Sequence, residues 1–144
     1  MRVTKTVTIV LIALILILFC VGTLIALTSS NKAALVRDIF VHYNPNLFPE
    51  QARELSALVL QAGEKFDIDP FILASIIVRE SRARPWVISK GGDYGLMQVR
   101  WRVHQKEIRR RYPQVRKDID LLKPEINIFV GAEIFGRYYA KQKT

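Results

Sequence analysis

The chain has 144 residues, a formal charge of +9 and one cysteine. That length allows one small domain, and a single cysteine excludes an intramolecular disulfide and removes the main ligand for thiol-based metal or nucleophile chemistry. Half of the residues are hydrophobic, but one N-terminal stretch inflates that share.

Ile9 to Leu27 carries no charge, and with Val7 and Thr8 the run reaches the roughly 20 residues that a helix needs to cross a bilayer. It is longer than the apolar core of a secretory signal and ends in Leu24-Ile25-Ala26-Leu27-Thr28, without an Ala-x-Ala pattern, so residues 7–27 are expected to be an uncleaved signal anchor. Cys20 follows Leu18-Phe19 rather than the small residues of a lipoprotein signal and reads as an apolar membrane residue. Arg2, Lys5 and the terminal amine flank one side; Lys32 and Arg37, partly offset by Asp38, flank the other. The positive-inside rule keeps residues 1–6 cytoplasmic and makes the chain a single-pass protein of the cytoplasmic (inner) membrane, with everything from about Thr28 on the periplasmic or extracytoplasmic side.

Residues 28–48 read as a polar-to-mixed connector with a turn at Asn44-Pro45-Asn46, and 49–144 as the domain. Pro49 to Phe66 repeats apolar residues at Ala52, Leu55, Leu58 or Val59, and Ala62, the period of an amphipathic helix, with Gly63 weakening its end. Asp69-Pro70 signals the start of the next helix, an N-cap carboxylate followed by a Pro whose missing N–H costs nothing there. Ile72, Leu73, Ile76 and Ile77 define its apolar stripe, and Glu80 lies three residues after Ile77 and four after Ile76. Glu80 is therefore expected on the core-facing side. Burial disfavours the charged form of a carboxylate, which suits a general acid. The competing reading is a surface Glu, turned to solvent or paired with Arg79, Arg82 or Arg84.

Pro85 and Gly91-Gly92 then break helical structure, and Trp86-Val87-Ile88 with Leu96-Met97-Gln98-Val99 suggests a short hairpin or extended flap returning toward Glu80. Arg102 to Tyr112 and Pro124 to about Lys141 read as further helices, the last with Asn127, Gly131 and Tyr138 on one side. The densest basic stretch runs from Arg100 to Lys117. In a cytoplasmic protein it would raise nucleic-acid binding, but outside the membrane it suits anionic wall polymers, peptide-stem carboxylates or lipid headgroups; a solvated helix face explains it equally well.

The ordered combination of Glu80-Ser81, Ser89, Gly95-Leu96-Met97-Gln98 and Asn127-Ile128-Phe129-Val130-Gly131 resembles the bacterial lytic transglycosylase domain of the soluble (SLT) type, over about the last two thirds of the chain. The resemblance implies a mainly α, lysozyme-like fold with a short β-hairpin or flap, here preceded by one transmembrane helix. It implies a lyase of peptidoglycan glycan strands, acting without cofactor or metal. Glu80 would protonate the β-1,4 bond between N-acetylmuramic acid (MurNAc) and N-acetylglucosamine (GlcNAc), then take the C6 hydroxyl proton as 1,6-anhydroMurNAc closes. Ser81, Ser89, Met97 and Gln98 match the family's substrate-binding positions, and Gly95, Leu96, Asn127 and Gly131 its supporting ones. The Ala-Tyr-Asn segment usual in the family is not found: Tyr138-Tyr139-Ala140 precede Thr144 with different spacing. That short C-terminus leads to the expectation of a cleft open on one side, completed by a protein partner from a wall-spanning assembly.

Two alternatives stand beside this reading: a non-catalytic peptidoglycan-binding or scaffold protein, and a lysozyme-like hydrolase using Glu80 and Asp93. Carboxylate-pair glycosidases need a second acid within roughly 10 Å. Asp69, eleven residues before Glu80 on one helix, would lie about 16 Å away. Asp93 is the near candidate, although an Asp after two glycines more often satisfies turn N–H groups.

Overall fold

The computed structural model describes residues 2–142, with the side chains of residues 2–10, 26 and 142 left out. The expectations placed on residues 1–6, on the first residues of the anchor and on the last three residues therefore lie outside the described residues or side chains. The elements are α1 (Arg2–Tyr43), α2 (Pro49–Phe66), α3 (Pro70–Ser81), β1 (Asp93–Tyr94), β2 (Val99–Arg100), α4 (Trp101–Arg111), a 3-10 turn (Asp118–Leu122) and α5 (Pro124–Gln142). The chain divides into two compact units between Lys32 and Ala33.

In the first unit, the described part of α1 is long and apolar enough to cross a membrane, and its large side chains from Leu11 to Leu27 are exposed. Two of its hydroxyls are satisfied within the helix, Thr23 donating to the Cys20 carbonyl and Thr28 to that of Ile25. That is the arrangement hydrocarbon demands of a polar group.

The second unit is the helical domain. Part of the stretch expected to be a connector belongs to it: α1 stays helical through Tyr43, and Val36 and Phe40 are fully buried in its core. Their i, i+4 spacing places both on one face of the helix. α2 spans the residues that its sequence pattern gave, and α3 begins where Asp69-Pro70 placed it. Pro49 opens α2, and the Gln51 side chain accepts the Phe48 N–H at 3.2 Å. Asp69 caps α3, its Oδ1 accepting the Phe71 N–H at 2.8 Å. Between the helices the Ile68 N–H bonds the Gly63 carbonyl, and a Cβ at Gly63 would stand 2.7 Å from the Ile68 oxygen. Gly63 thus permits the tight reversal rather than merely weakening the helix.

α2 packs against both α3 and α5, burying Leu55, Val59 and Ala62. The first half of α5 buries Ile126, Asn127, Ile128, Val130, Gly131 and Ala132. The hairpin differs from the pairing expected: β1 pairs antiparallel with β2, Asp93 opposite Arg100 and Tyr94 opposite Val99. Of the earlier strand only Ile88 takes part, through one bridge to Tyr94. Gly95 to Gln98 form the turn between the strands, with Gly95 at φ +72°.

Candidate active site

A cleft of about 700 Å³ opens between α3, the β1–β2 turn, α4 and α5. Glu80 lines it, but the burial expected for Glu80 is not observed. Leu73, Ala74, Ile77 and Ser81 face the core, while Glu80 is exposed beside Ile76. At 3.6 residues per turn the 72/76/80 row lies about 100° around the helix from that core face. Among the described residues the Glu80 carboxylate makes no hydrogen bond or ion pair, and the arginines near it in sequence do not engage it.

The turn of α3 that carries Glu80 is held firmly. Arg82 and Ala83 both adopt left-handed backbone, at φ 53° and 54°, which costs non-glycine residues about 1–2 kcal/mol each. Surrounding bonds enforce it: the Arg82 N–H reaches the Val78 carbonyl, Arg84 Nε donates to the Ser81 carbonyl at 2.9 Å, and Asn44 Nδ2 donates to the Ala83 carbonyl at 3.1 Å. Ser81 is 1% exposed, and its hydroxyl donates to the Ile77 carbonyl at 3.0 Å. It does not line the cleft.

Opposite Glu80, the Gly95–Gln98 segment is fixed by one amide. Asn127 of α5 is fully buried; its Oδ1 accepts the Met97 N–H at 2.7 Å, and its Nδ2 donates to the carbonyls of Tyr94 and Leu121, each at 2.7 Å. That close approach excludes any side chain at Gly95, where a Cβ would fall 2.6 Å from the Leu121 oxygen. Leu96 plugs the core with no exposure. Met97 forms apolar wall and lies over Gly131, where a Cβ would come 2.6 Å from the Met97 sulfur. Gln98, at φ 47°, lines the cleft while its Nε2 donates to the carbonyls of Gly95 and Val87.

Ser89 and Asp93 also line the cleft but are bound to each other. Ser89 Oγ donates to Asp93 Oδ2 at 2.9 Å and accepts the N–H groups of Gly91 and Asp93. Arg100 grips both Asp93 oxygens, at 2.6 and 2.9 Å. The Arg100 guanidinium, supported by Ser89, holds the Asp93 carboxyl below the usual range against the opposing effect of partial burial. A depressed folded-state pKa contributes stability above the unfolded value and loses it as pH falls through the folded one. Arg100→Ala is therefore expected to raise the Asp93 pKa, followed by NMR titration, and to shift the onset of acid unfolding to higher pH.

Reading the sequence alone passed over His104, which lines the cleft from α4 and meets Tyr138 edge to face at 6.5 Å. Partial burial, aided by the Arg137 charge, lowers its pKa and so favours the neutral imidazole. Its spacing from Trp101 and Ile108 on the inner side of α4 was the available signal. α4 is fastened to α5 by two charged pairs, Arg111 with Glu133 and Arg137 with Glu107, while Arg111 also pairs with Glu107 within α4. The Tyr112 hydroxyl donates to Glu133 at 2.7 Å, and burial together with that carboxylate pushes its pKa well up. Tyr138 borders the cleft, whereas Tyr139 stacks on Phe135.

Glu80, Ser89, Met97, Gln98 and Gly131 thus share one cleft, with Gly95, Leu96 and Asn127 as its scaffold. The Transglycosylase SLT domain profile matches residues 57–144. Endo-type membrane-bound lytic murein transglycosylases A from two strains of Klebsiella pneumoniae are 33% identical over 95 residues, 62% of this chain. The chain spans 45% of the length of these relatives. More than half of the chain lies within the domain match, and it belongs to the Transglycosylase SLT domain family.

Proposed function

We propose that the chain is a membrane-anchored peptidoglycan lytic transglycosylase that cleaves the MurNAc–GlcNAc β-1,4 bond and forms 1,6-anhydroMurNAc, with Glu80 as its acid and then its base. The observation that carries this reading is an unpartnered carboxylate in a cleft whose other carboxylate, Asp93, is bound by Arg100 and Ser89. One free carboxyl group suffices for this reaction. Glu80 gives its proton to the glycosidic oxygen as the bond to C1 breaks; the resulting carboxylate takes the proton of the C6 hydroxyl, and O6 closes on C1. The acid is regenerated and no water is consumed. The first step needs the neutral acid, which a strand covering Glu80 and expelling its water would favour. Family membership and the similarity to membrane-bound lytic murein transglycosylases support lytic transglycosylase activity.

The apolar part of α1 supports anchoring in the cytoplasmic (inner) membrane, and the flanking charges support a domain on the periplasmic side. Full-length protein in detergent, incubated with purified peptidoglycan, is expected to release muropeptides one water lighter than hydrolytic products by mass spectrometry. Fully hydrated products would overturn the reading in favour of a hydrolase. Asp93→Asn separates the two mechanisms: it is expected to change turnover by less than about tenfold, whereas loss of a catalytic nucleophile or base costs orders of magnitude.

A further inference from the structure

α4 carries a row of cations that the cleft chemistry does not use. At 3.6 residues per turn, Arg109, Arg102, Lys106 and Arg110 fall within an arc of about 100°, and Val103 lies about 20° beyond Arg110. Val103 lines the cleft. All four basic side chains are exposed, and the arc holds no Asp or Glu. The other side of α4 is occupied, with Ile108 in the core and Glu107 and Arg111 bound to α5. Arg109 is partly engaged, donating to the Arg116 carbonyl and lying 5.1 Å over the Trp101 ring. Arg102, Lys106 and Arg110 make no hydrogen bond or ion pair among the described residues. They are spaced i, i+4, i+8, so they repel one another along the helix. Arg102 sits close enough to the cleft for its charge to act on Asp93.

We propose that Arg102, Lys106 and Arg110 bind the carboxylates of the peptide stems carried by muramic acid, so that the cleft prefers glycan strands that keep their stems. This rests on the reading of the cleft as a glycan site. With the lactyl carboxyl of each muramic acid held in its amide to the stem, the sugars themselves are uncharged and the stems are where such a strand carries its anions; stripping a stem leaves a lactyl carboxylate in its place. A strand in the cleft brings those anions to the lip that the row borders, without any further docking surface. Anionic lipid headgroups share this charge chemistry, and the experiment separates the two.

The test uses full-length Glu80→Gln protein in detergent, so that ligand is not consumed, and calorimetry with a GlcNAc–MurNAc tetrasaccharide bearing peptide stems or stripped of them. The stem-bearing form is expected to bind about tenfold tighter, as three exposed charge pairs allow, with the gap narrowing at raised salt. Arg102→Gln/Lys106→Gln/Arg110→Gln is expected to remove most of the gap, and Arg102→Lys/Arg110→Lys to retain it. Equal affinity for the two glycans in the parent, or a gap that survives the triple substitution, overturns the proposal. A triple variant that keeps the gap but loses binding to phosphatidylglycerol vesicles assigns the row to a membrane surface instead. A parent that binds neither glycan overturns the reading of the cleft itself.

Discussion

Glu80→Gln is expected to lower the release of anhydro-muropeptides by about three orders of magnitude, because in the proposed mechanism one carboxyl group performs both proton transfers and general acid–base catalysis is worth roughly 10²–10⁴-fold. Glutamine preserves the shape of the side chain and removes the titrating proton. Glu80 is exposed and unpartnered, so the substitution leaves no polar group stranded. Thermal unfolding and glycan affinity are expected to stay at parental values. Rate, affinity and stability measured on one preparation distinguish lost chemistry from lost structure. Appreciable turnover in this variant would remove Glu80 from the mechanism.

Asn127→Ala carries the largest expected effect on stability. It strands the buried Met97 N–H and Leu121 carbonyl and removes the partner of the part-buried Tyr94 carbonyl. An unsatisfied buried group costs about 1–3 kcal/mol, so a loss of about 3–5 kcal/mol is expected. For a domain of this size that corresponds to a fall in Tm of about 15 °C or more. Turnover is expected to fall as well, because Met97 and Gln98 form cleft wall only while the Gly95 turn is pinned to α5. Thermal and denaturant unfolding of the full chain in detergent measure the first effect. A variant within about 1 kcal/mol of the parent would show that the three bonds do not act as a clamp.

Where the sequence carried strong punctuation, it was sufficient. Pro49, the Asp69-Pro70 pair and Pro124 each mark a helix start that the structure confirms. The face of α3 was misread for a definite reason. Two apolar rows satisfy the helical period there, Leu73/Ile77 toward the core and Ile72/Ile76 toward the cleft side, and a cleft with apolar walls makes the second row resemble the first. The exposure of Glu80 was therefore not legible, although its place beside the Gly95–Gln98 segment was. In the expected connector, Val36 and Phe40 already stood at helical spacing; the polar residues around them concealed that they are core. A short hairpin was expected, but which residues pair in it escaped, because strands of two residues have no alternation to read. Asn127 was marked as a support for packing, but its three-way bonding depends on backbone groups brought from two other segments, which no residue pattern encodes.

The division of the cleft's walls has a consequence for tolerance. Glu80 rides on α3, the facing turn is tied to α5, and α2 packs against both helices. The width of the cleft between Glu80 and that turn is thus set at second hand, by the fit of Leu55, Val59 and Ala62 between two helices that each hold one jaw. A displacement of about 1 Å can cost a reaction 10²-fold. Small changes of volume along α2 are therefore changes of calibre, felt in rate before they are felt in stability, at positions that no substrate ever touches.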